Sequence, residues 1–380
     1  MHSCTPVLLL MVSGVAAEVN VESVEYFATN YGAARANFLE AANLSNAEVE
    51  SLRHPEVGPT GEALFTDVAL LGPSDAKTVL VLSSGTHGVE GFAGSAIQVG
   101  LLRERVLARL PSDVRILMIH GINPYGFAHL RRFNEDNVDL NRNFVDHSRS
   151  QGRNTGYEEL SGALAPPVWS PWSNAVFLLR LQWHRLLGRT DWLRDAITGG
   201  QYGYPKGLFF GGRVEAWSNG MLQGIAERHL SRADRVVFVD VHTGLGDYGN
   251  AELIVNVPES DGGYMRAVAM WGEAKVRSTD SGASVSVDLD GTLKLAVPAM
   301  VPGCDVTAVS LEFGTVPASK ALLALRAENW LHHHGGAEHP NAAKIKTELL
   351  RAFYPDSADW KSAVWQQGRE VVELALSSLS

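Results

Sequence analysis

Thr78-Val79-Leu80-Val81-Leu82-Ser83-Ser84-Gly85-Thr86-His87-Gly88-Val89-Glu90-Gly91 is the stretch on which the reading of the fold turns. Thr78 to Leu82 is an apolar run without polar alternation, as a strand shows when helices cover both of its faces. A glycine-rich turn follows, and a helical pattern then runs from about Phe92 to Leu110. Strand, tight turn and helix form the repeating unit of an α/β sheet. The turn also sets a His and a Glu three apart, flanked by three glycines, at the end of a strand. Two donors of different hardness, close together with little bulk beside them, supply half of a metal site. Alone, His-x-x-Glu is a weak signal, so the rest of the chain has to complete it.

Working outward, Tyr26 to Asn43 reads as a helix, with Phe27, Tyr31, Ala34, Phe38 and Ala42 on one face. Ala63 to Leu71 alternates as a strand does, and Val114 to His120 is another strand, ended by the turn residues Gly121 to Gly126. A polar loop, Arg131 to Phe144, comes next. From about Asp146 to Asp234 the composition shifts toward Gly, Pro, Trp and Tyr. Helical patterns there cover Asn174 to Leu187 and Gly220 to His229, with Gly199 to Gly207 as a glycine- and tyrosine-rich link. Strands resume afterwards, so residues 146–234 read as an insertion. Arg235 to Val241 is a strand ended by His242-Thr243-Gly244, and Glu252 to Val257 is another. Tyr264 to Val276 reads as a helix. Val306 to Leu311 is the last strand, ended by Glu312-Phe313-Gly314. Helices at Ser319 to His334, Ala342 to Phe353 and Trp360 to Leu376 close the chain. The expected fold is α/β: a mixed, mostly parallel central sheet flanked by helices, with a helical insertion. Ligands in such sheets collect beyond the carboxyl ends of the strands.

Composition narrows the function. The 380 residues hold 32 Lys and Arg against 42 Asp and Glu, a formal charge of −10, which argues against nucleic acid as a partner. With only Cys4 and Cys304 there is no disulfide framework and no cysteine metal cluster, so any metal must be held by His and carboxylate. No apolar run is long enough to span a membrane. Pro6 to Val15 is apolar and Ala16-Ala17 resembles a cleavage site, but the start lacks Lys and Arg and the run is short. Residues 1–22 therefore read as the N-terminal extension of a cytoplasmic protein, with a signal peptide and a periplasmic or secreted protein as the alternative. Residues 23–353 read as one catalytic domain and 354–380 as a helical tail packed on it. Nothing in the sequence speaks to oligomeric state.

Three strand ends carry chemistry: His87 with Glu90, His242, and Glu312. A catalytic zinc site takes three protein ligands and leaves a fourth position open. His87, Glu90 and His242 fill such a set, one ion per chain, which leaves Glu312 as the general base. In Asp139-Leu140-Asn141-Arg142-Asn143, Arg142 offers a fork of donors for a substrate carboxylate and Asn141 can share it. Either Arg131 or Arg132 could stabilise an oxyanion. Asp139 reads as a residue that orients the loop or a ligand histidine.

Together, His87-Gly88-Val89-Glu90-Gly91, Asp139-Leu140-Asn141-Arg142-Asn143, His242-Thr243-Gly244 and Leu311-Glu312-Phe313-Gly314 resemble the zinc carboxypeptidase superfamily. The likeness is nearest to the branch with aspartoacylase and succinylglutamate desuccinylase, and within it to a bacterial carboxypeptidase-like group. It spans about Tyr26 to Phe353. The resemblance implies zinc on His87, Glu90 and His242, Glu312 as base, and Arg142 with Asn141 on the substrate carboxylate. Arg132-Phe133 resembles the position of the superfamily's oxyanion arginine, although the loop from there to Asn141 has an unusual length, and Arg131 is kept as a substrate-binding candidate. Carboxypeptidases of the superfamily also place a Tyr before the base. Tyr248 and Tyr264 lie in that interval without a matching motif, so no role is transferred to them. The implied activity is zinc-dependent hydrolysis of an amide bond next to a carboxylate, metallocarboxypeptidase-like. The alternatives are an N-acyl amino acid deacylase and a non-catalytic zinc-binding interaction module. The implied partner is thus a peptide or an N-acyl amino acid with a free carboxylate.

Remaining motifs have plainer readings. His332-His333-His334 sits at a helix end, where His suits the exposed carbonyls. His120 and His129 read as structural. Tyr202 and Tyr204 either line the pocket or pack their loop. Trp169, Trp172, Trp183 and Trp192 read as core for the inserted helices.

Overall fold

The strands are β1 (Glu48–Val57), β2 (Ala63–Leu71), β3 (Thr78–Ser84), β4 (Val114–His120), β5 (Arg235–Tyr248), β6 (Ala251–Val255), β7 (Val276–Ser278) and β8 (Asp305–Gly314). They form one sheet in the order β1-β2-β4-β3-β5-β8-β6-β7. The computed structural model describes residues 21–280, 284 and 289–379. The reading of a leader within residues 1–20 lies outside the described residues. Pairing is parallel for β3 with β4 and β5, β5 with β8, and β6 with β7, and antiparallel for β1–β2, β2–β4 and β6–β8. This is the mixed, mostly parallel α/β sheet that the sequence predicts.

The non-alternating β3 now has its reason. Leu80 and Leu82 point to one face, into a core with Phe92, Ile97, Val237, Val239 and Trp360. Val79 and Val81 point to the other, into a core with Leu222, Ile225, Phe238, Leu293 and Val297. Helices supply both covers. On the first face lie α1 (Tyr31–Leu44), α2 (Gly91–Arg103), α8 (Gly262–Trp271) and α12 (Ala358–Ser378), and on the second α7 (Trp217–His229) and α9 (Leu293–Met300). The short α3 (Pro124–Ala128) follows β4. The insertion contributes α4 (Thr155–Leu164), α5 (Pro171–Leu186) and α6 (Thr190–Thr198). With α10 (Ala318–His333) and α11 (Ala342–Phe353) these enclose a further core around Tyr157, Phe177, Leu193, Phe209 and Leu325. The tail helix α12 belongs to the main core: Trp365 lies over Gly100, where an added Cβ would meet its ring at 2.4 Å, and Trp360 Nε1 donates to the Gly314 carbonyl at 2.8 Å.

Local chemistry explains where sequence and structure differ. β1 is an edge strand with one buried residue, His54, so it lacks an apolar signature. The expected helix from Tyr26 starts at Tyr31, because the Asn30 side chain caps it by accepting from Ala33 N. The helix expected to reach Val276 stops at Trp271, ahead of Gly272 at φ +86°, and Val276 joins edge strand β7. His242 and Glu312 do not follow their strands. β5 and β8 continue past them, and the two residues are direct register partners.

Candidate metal centre

β3 ends at Ser84, and Gly85 turns the chain at φ +72°. Gly88 has no room for a side chain, since a Cβ would stand 2.0 Å from the Gly126 carbonyl carbon of α3. This close approach lets Val89 N donate to the Arg131 carbonyl at 2.8 Å and Gly88 N to the Arg132 carbonyl at 3.3 Å. The turn carrying His87 and Glu90 is thereby stitched to the segment carrying Arg132. His242 arrives from β5, next to β3, and Glu312 from β8, next to β5.

His87, Glu90 and His242 are buried, and one donor atom from each lies within 4.8 Å of the others. Glu90 is central: His87 Nδ1 is 3.0 Å from its Oε1 and His242 Nδ1 is 3.0 Å from its Oε2. Thr243 N donates to Oε2 at 3.1 Å. The far nitrogens are held from behind. His87 Nε2 lies 3.2 Å from Asp139 Oδ1, and His242 Nε2 lies 2.7 Å from Asp240 Oδ2. Asp240 in turn accepts from Ser83 Oγ and Thr86 Oγ1. A carboxylate behind each imidazole fixes the Nε2–H tautomer and presents the Nδ1 lone pair to the centre. His87 Nδ1 is buried without a hydrogen-bond partner. An orphaned acceptor facing a carboxylate and a second imidazole fits a divalent cation. Among the described residues this is the one His/Cys/Asp/Glu group with metal-holding geometry.

The electrostatics agree. Burial alone would raise the Glu90 carboxyl, but His87, His242 and Arg132 hold it far below its usual range. Burial would lower the His242 imidazole, yet Asp240 and Glu90 raise it to about 10, so the site strongly favours positive charge. Asp139 is held well below the usual carboxylate range, burial being outweighed by Arg132, Arg142 and His87. Glu312 goes the other way: burial, then the charge on Glu90, push it up to about 7, while Leu245 N donates to its Oε1 at 3.0 Å.

The two neighbouring arginines separate. Arg132 enters the site, with Nη1 donating to Glu90 Oε1 and Nε to Asp139 Oδ2, each at 3.0 Å. Arg131 turns away. It is fully buried, donating to Glu328 Oε1 at 2.8 Å, Asn137 Oδ1 at 2.7 Å and the Asn134 carbonyl. It does not line the cavity, so the expectation that Arg131 binds substrate is corrected: its guanidinium is consumed by a buried ion pair. Asn141 and Arg142 do line the cavity. Asn141 Oδ1 accepts from Leu293 N at 2.9 Å, and Arg142 donates to the carbonyls of Asn141 and Thr198 at 2.7 Å each, its Nε remaining unpartnered.

The cavity over the site measures about 360 Å³. The sheet supplies its polar floor. One wall comes from the insertion, with Leu181, Leu193, Ile197 and Phe209, and the facing wall from α10 and α11, with Leu322, Leu325 and Phe353. Tyr202 and Tyr204 do not line it, and Tyr202 Oη instead donates to the Arg142 carbonyl at 2.7 Å. His120 bonds Ser95 Oγ and stacks on Phe38, and His334 stacks on Trp330, so both are structural. The tryptophan expectation holds in part. Trp169 stacks on Trp330 and Trp192 on His184, but Trp172 and Trp183 face solvent. Sequence reading missed Asp240. Its signal was the i, i+2 spacing to His242, which places both side chains on one side of β5.

The profile of one protein family matches residues 27–367. The chain belongs to the family described as "Protein of unknown function (DUF2817)". Solved structures similar to this DUF2817 chain include a carboxypeptidase A from Helicoverpa armigera, at 12% identity over 88% of this chain and 73% of that one, with a TM-score of 0.46. An aspartoacylase family protein from Mesorhizobium loti matches at 14% identity over 77% and 68%, with a TM-score of 0.37. A succinylglutamate desuccinylase from Silicibacter matches at 15% over 76% and 67%, with a TM-score of 0.40. No curated protein matches the sequence.

Proposed function

We propose that this DUF2817 protein is a zinc-dependent hydrolase of an amide bond next to a carboxylate, metallocarboxypeptidase-like. The observation that carries the reading is the convergence of His87, Glu90 and His242, each histidine backed by a carboxylate, beside a buried Glu312 at the same level of the sheet. Two imidazoles and a carboxylate without sulfur are the donor set of a catalytic zinc site. Zinc held there supplies Lewis acidity toward the scissile carbonyl and acidifies the attacking water. Glu312 takes the proton of that water and returns it to the leaving amine. Its upward shift toward neutrality suits both halves of the transfer. Arg132, fixed by Glu90 and Asp139, donates to the oxyanion. Asn141 and Arg142 hold the substrate carboxylate, which sets the amide over Glu312. The apolar walls exclude water and receive the apolar part of the substrate.

Metal analysis of the purified chain, paired with turnover of C-terminal dipeptides and N-acyl amino acids by the wild type and Glu312→Gln, tests this. The expected result is one zinc per chain in both proteins, with turnover only in the wild type. The panel member that reacts decides between a peptide and an acyl amino acid. Zinc missing from a folded sample defeats the metal assignment. Zinc without Glu312-dependent turnover turns the reading to a non-catalytic zinc-binding module.

A further inference from the structure

The mechanism leaves the outward face of α5 unused. Trp172, Val176, Leu179, Trp183 and Leu186 are between 45 and 76% exposed. At 3.6 residues per turn they fall within an arc of about 80°. They form a continuous apolar stripe along α5, opposite the buried Phe177, Leu181 and His184. Exposed Leu187 extends it. A stripe of this kind on a surface helix marks a surface that contacts something apolar.

Charge says what. From Pro171 to Thr190 the sequence has no Asp or Glu, but it has Arg180, Arg185 and Arg189, in a chain of formal charge −10. Arg189 lies 3.6 Å over the Trp192 ring, and Glu159 of α4 comes within 3.8 Å of it. Arg180 reaches the Glu159 carbonyl, while Arg185 is exposed and makes no ion pair among the described residues. Tryptophan and leucine on one face, Arg180 about 80° from its centre, Arg185 about 140° from it on the other side, and no acids describe a helix that lies in the plane of an anionic lipid surface. No helix here is long and apolar enough to cross a bilayer. A second copy seated antiparallel on the same stripe would bring Arg180, near the middle of α5, beside its own counterpart. The stripe faces away from the cavity, which Leu181 and Arg185 line from the other side of α5.

We propose that α5 docks the protein on an anionic lipid surface through this stripe. The docking is read without turnover, so it stands or falls separately from the hydrolase reading.

The test is flotation of the full chain with vesicles of phosphatidylcholine and phosphatidylglycerol, against phosphatidylcholine alone. Binding to the anionic vesicles is expected to be at least about tenfold stronger and to weaken about tenfold when salt is raised to about 0.5 M. Trp172→Ser/Trp183→Ser is expected to lose about tenfold in partition without loss of thermal stability, because both side chains are exposed. Brominated lipid is expected to quench the wild-type fluorescence more than that of the variant. Leu179→Ser repeats the test without touching a tryptophan. Absence of binding to anionic vesicles overturns the proposal, as does binding unchanged in both variants. A two-chain mass in light scattering that these variants dissociate assigns the stripe to a second copy instead. Binding that arises only when residues 1–20 are deleted assigns it to the apolar segment Pro6 to Val15.

Discussion

The floor and the inserted wall of the cavity are built on opposite principles. The floor is the strand ends and the loop beside them, where His242 and Glu312 are register partners and Asp139, Asp240, Ser83, Thr86 and Arg132 hold His87, Glu90 and His242 in a hydrogen-bonded network. The wall comes from residues 146–234, where Leu181, Leu193 and Ile197 face the cavity through apolar contact and Arg142 is tied to it through the Thr198 carbonyl and the Tyr202 hydroxyl. The proposed chemistry lies on the polar floor, and the proposed fit to substrate lies on a wall whose cavity face is apolar, although its outer loops are hydrogen-bonded to the domain through Asn137, Asn143 and Asn329.

Mutations sharpen this division. On the floor, His242→Ala removes a ligand and is expected to lower metal affinity by more than about a hundredfold, read by competition with a chelator. Glu312→Gln is expected to retain metal while turnover falls about 10²- to 10⁴-fold. Beneath the floor, Glu328→Ala strands Arg131 and is expected to cost about 3–5 kcal/mol in urea unfolding. Burial would raise the Glu328 carboxyl, but Arg131 and Lys346 lower it to about 2. A depressed carboxylate stabilises the fold above its unfolded pKa of about 4.3, and the contribution disappears as pH falls from there toward about 2. The wild type should therefore lose stability through that window in urea melts, and Glu328→Ala should show less of that loss. Asp240→Asn leaves His242 in place but unsupported, and metal affinity is expected to fall about 10- to 100-fold. The smallest effect belongs to the wall. Trp183→Ser should move stability by no more than about 0.5 kcal/mol, and a larger loss would show that α5 packs against more than the contacts described.

Much of the floor was legible in the sequence because its constraints are local. A covered parallel strand is written as an uninterrupted apolar run, and a close backbone approach is written as Gly85 or Gly88. The four motifs therefore named His87, Glu90, His242 and Glu312, which the fold brings together. Their partners were not legible where they arise from tertiary pairing. Only the fold shows that Arg131 faces Glu328, 197 residues away, while its neighbour Arg132 faces Glu90. The segment 146–234 stood out by composition, but its orientation was not legible. Tryptophan spacing gives one face of α5, yet which face meets the core depends on Phe177 and Leu181 meeting α6 and α10. Edge strands β1 and β7 escaped for the same reason that lets them lie at the rim, since they bury too little to leave a pattern.

The dispersal of the ligands along the chain has a consequence in time. His242 follows Glu90 by 152 residues, so at about 5–20 residues per second the ribosome delivers it about 8 to 30 s later. Until then His87 and Glu90 are a pair of loose donors with no third ligand, and Glu312 emerges later still. Loading of the proposed ion would therefore follow closure of the β3–β5–β8 ladder, and a nascent chain stalled before residue 235 would carry half of the candidate site.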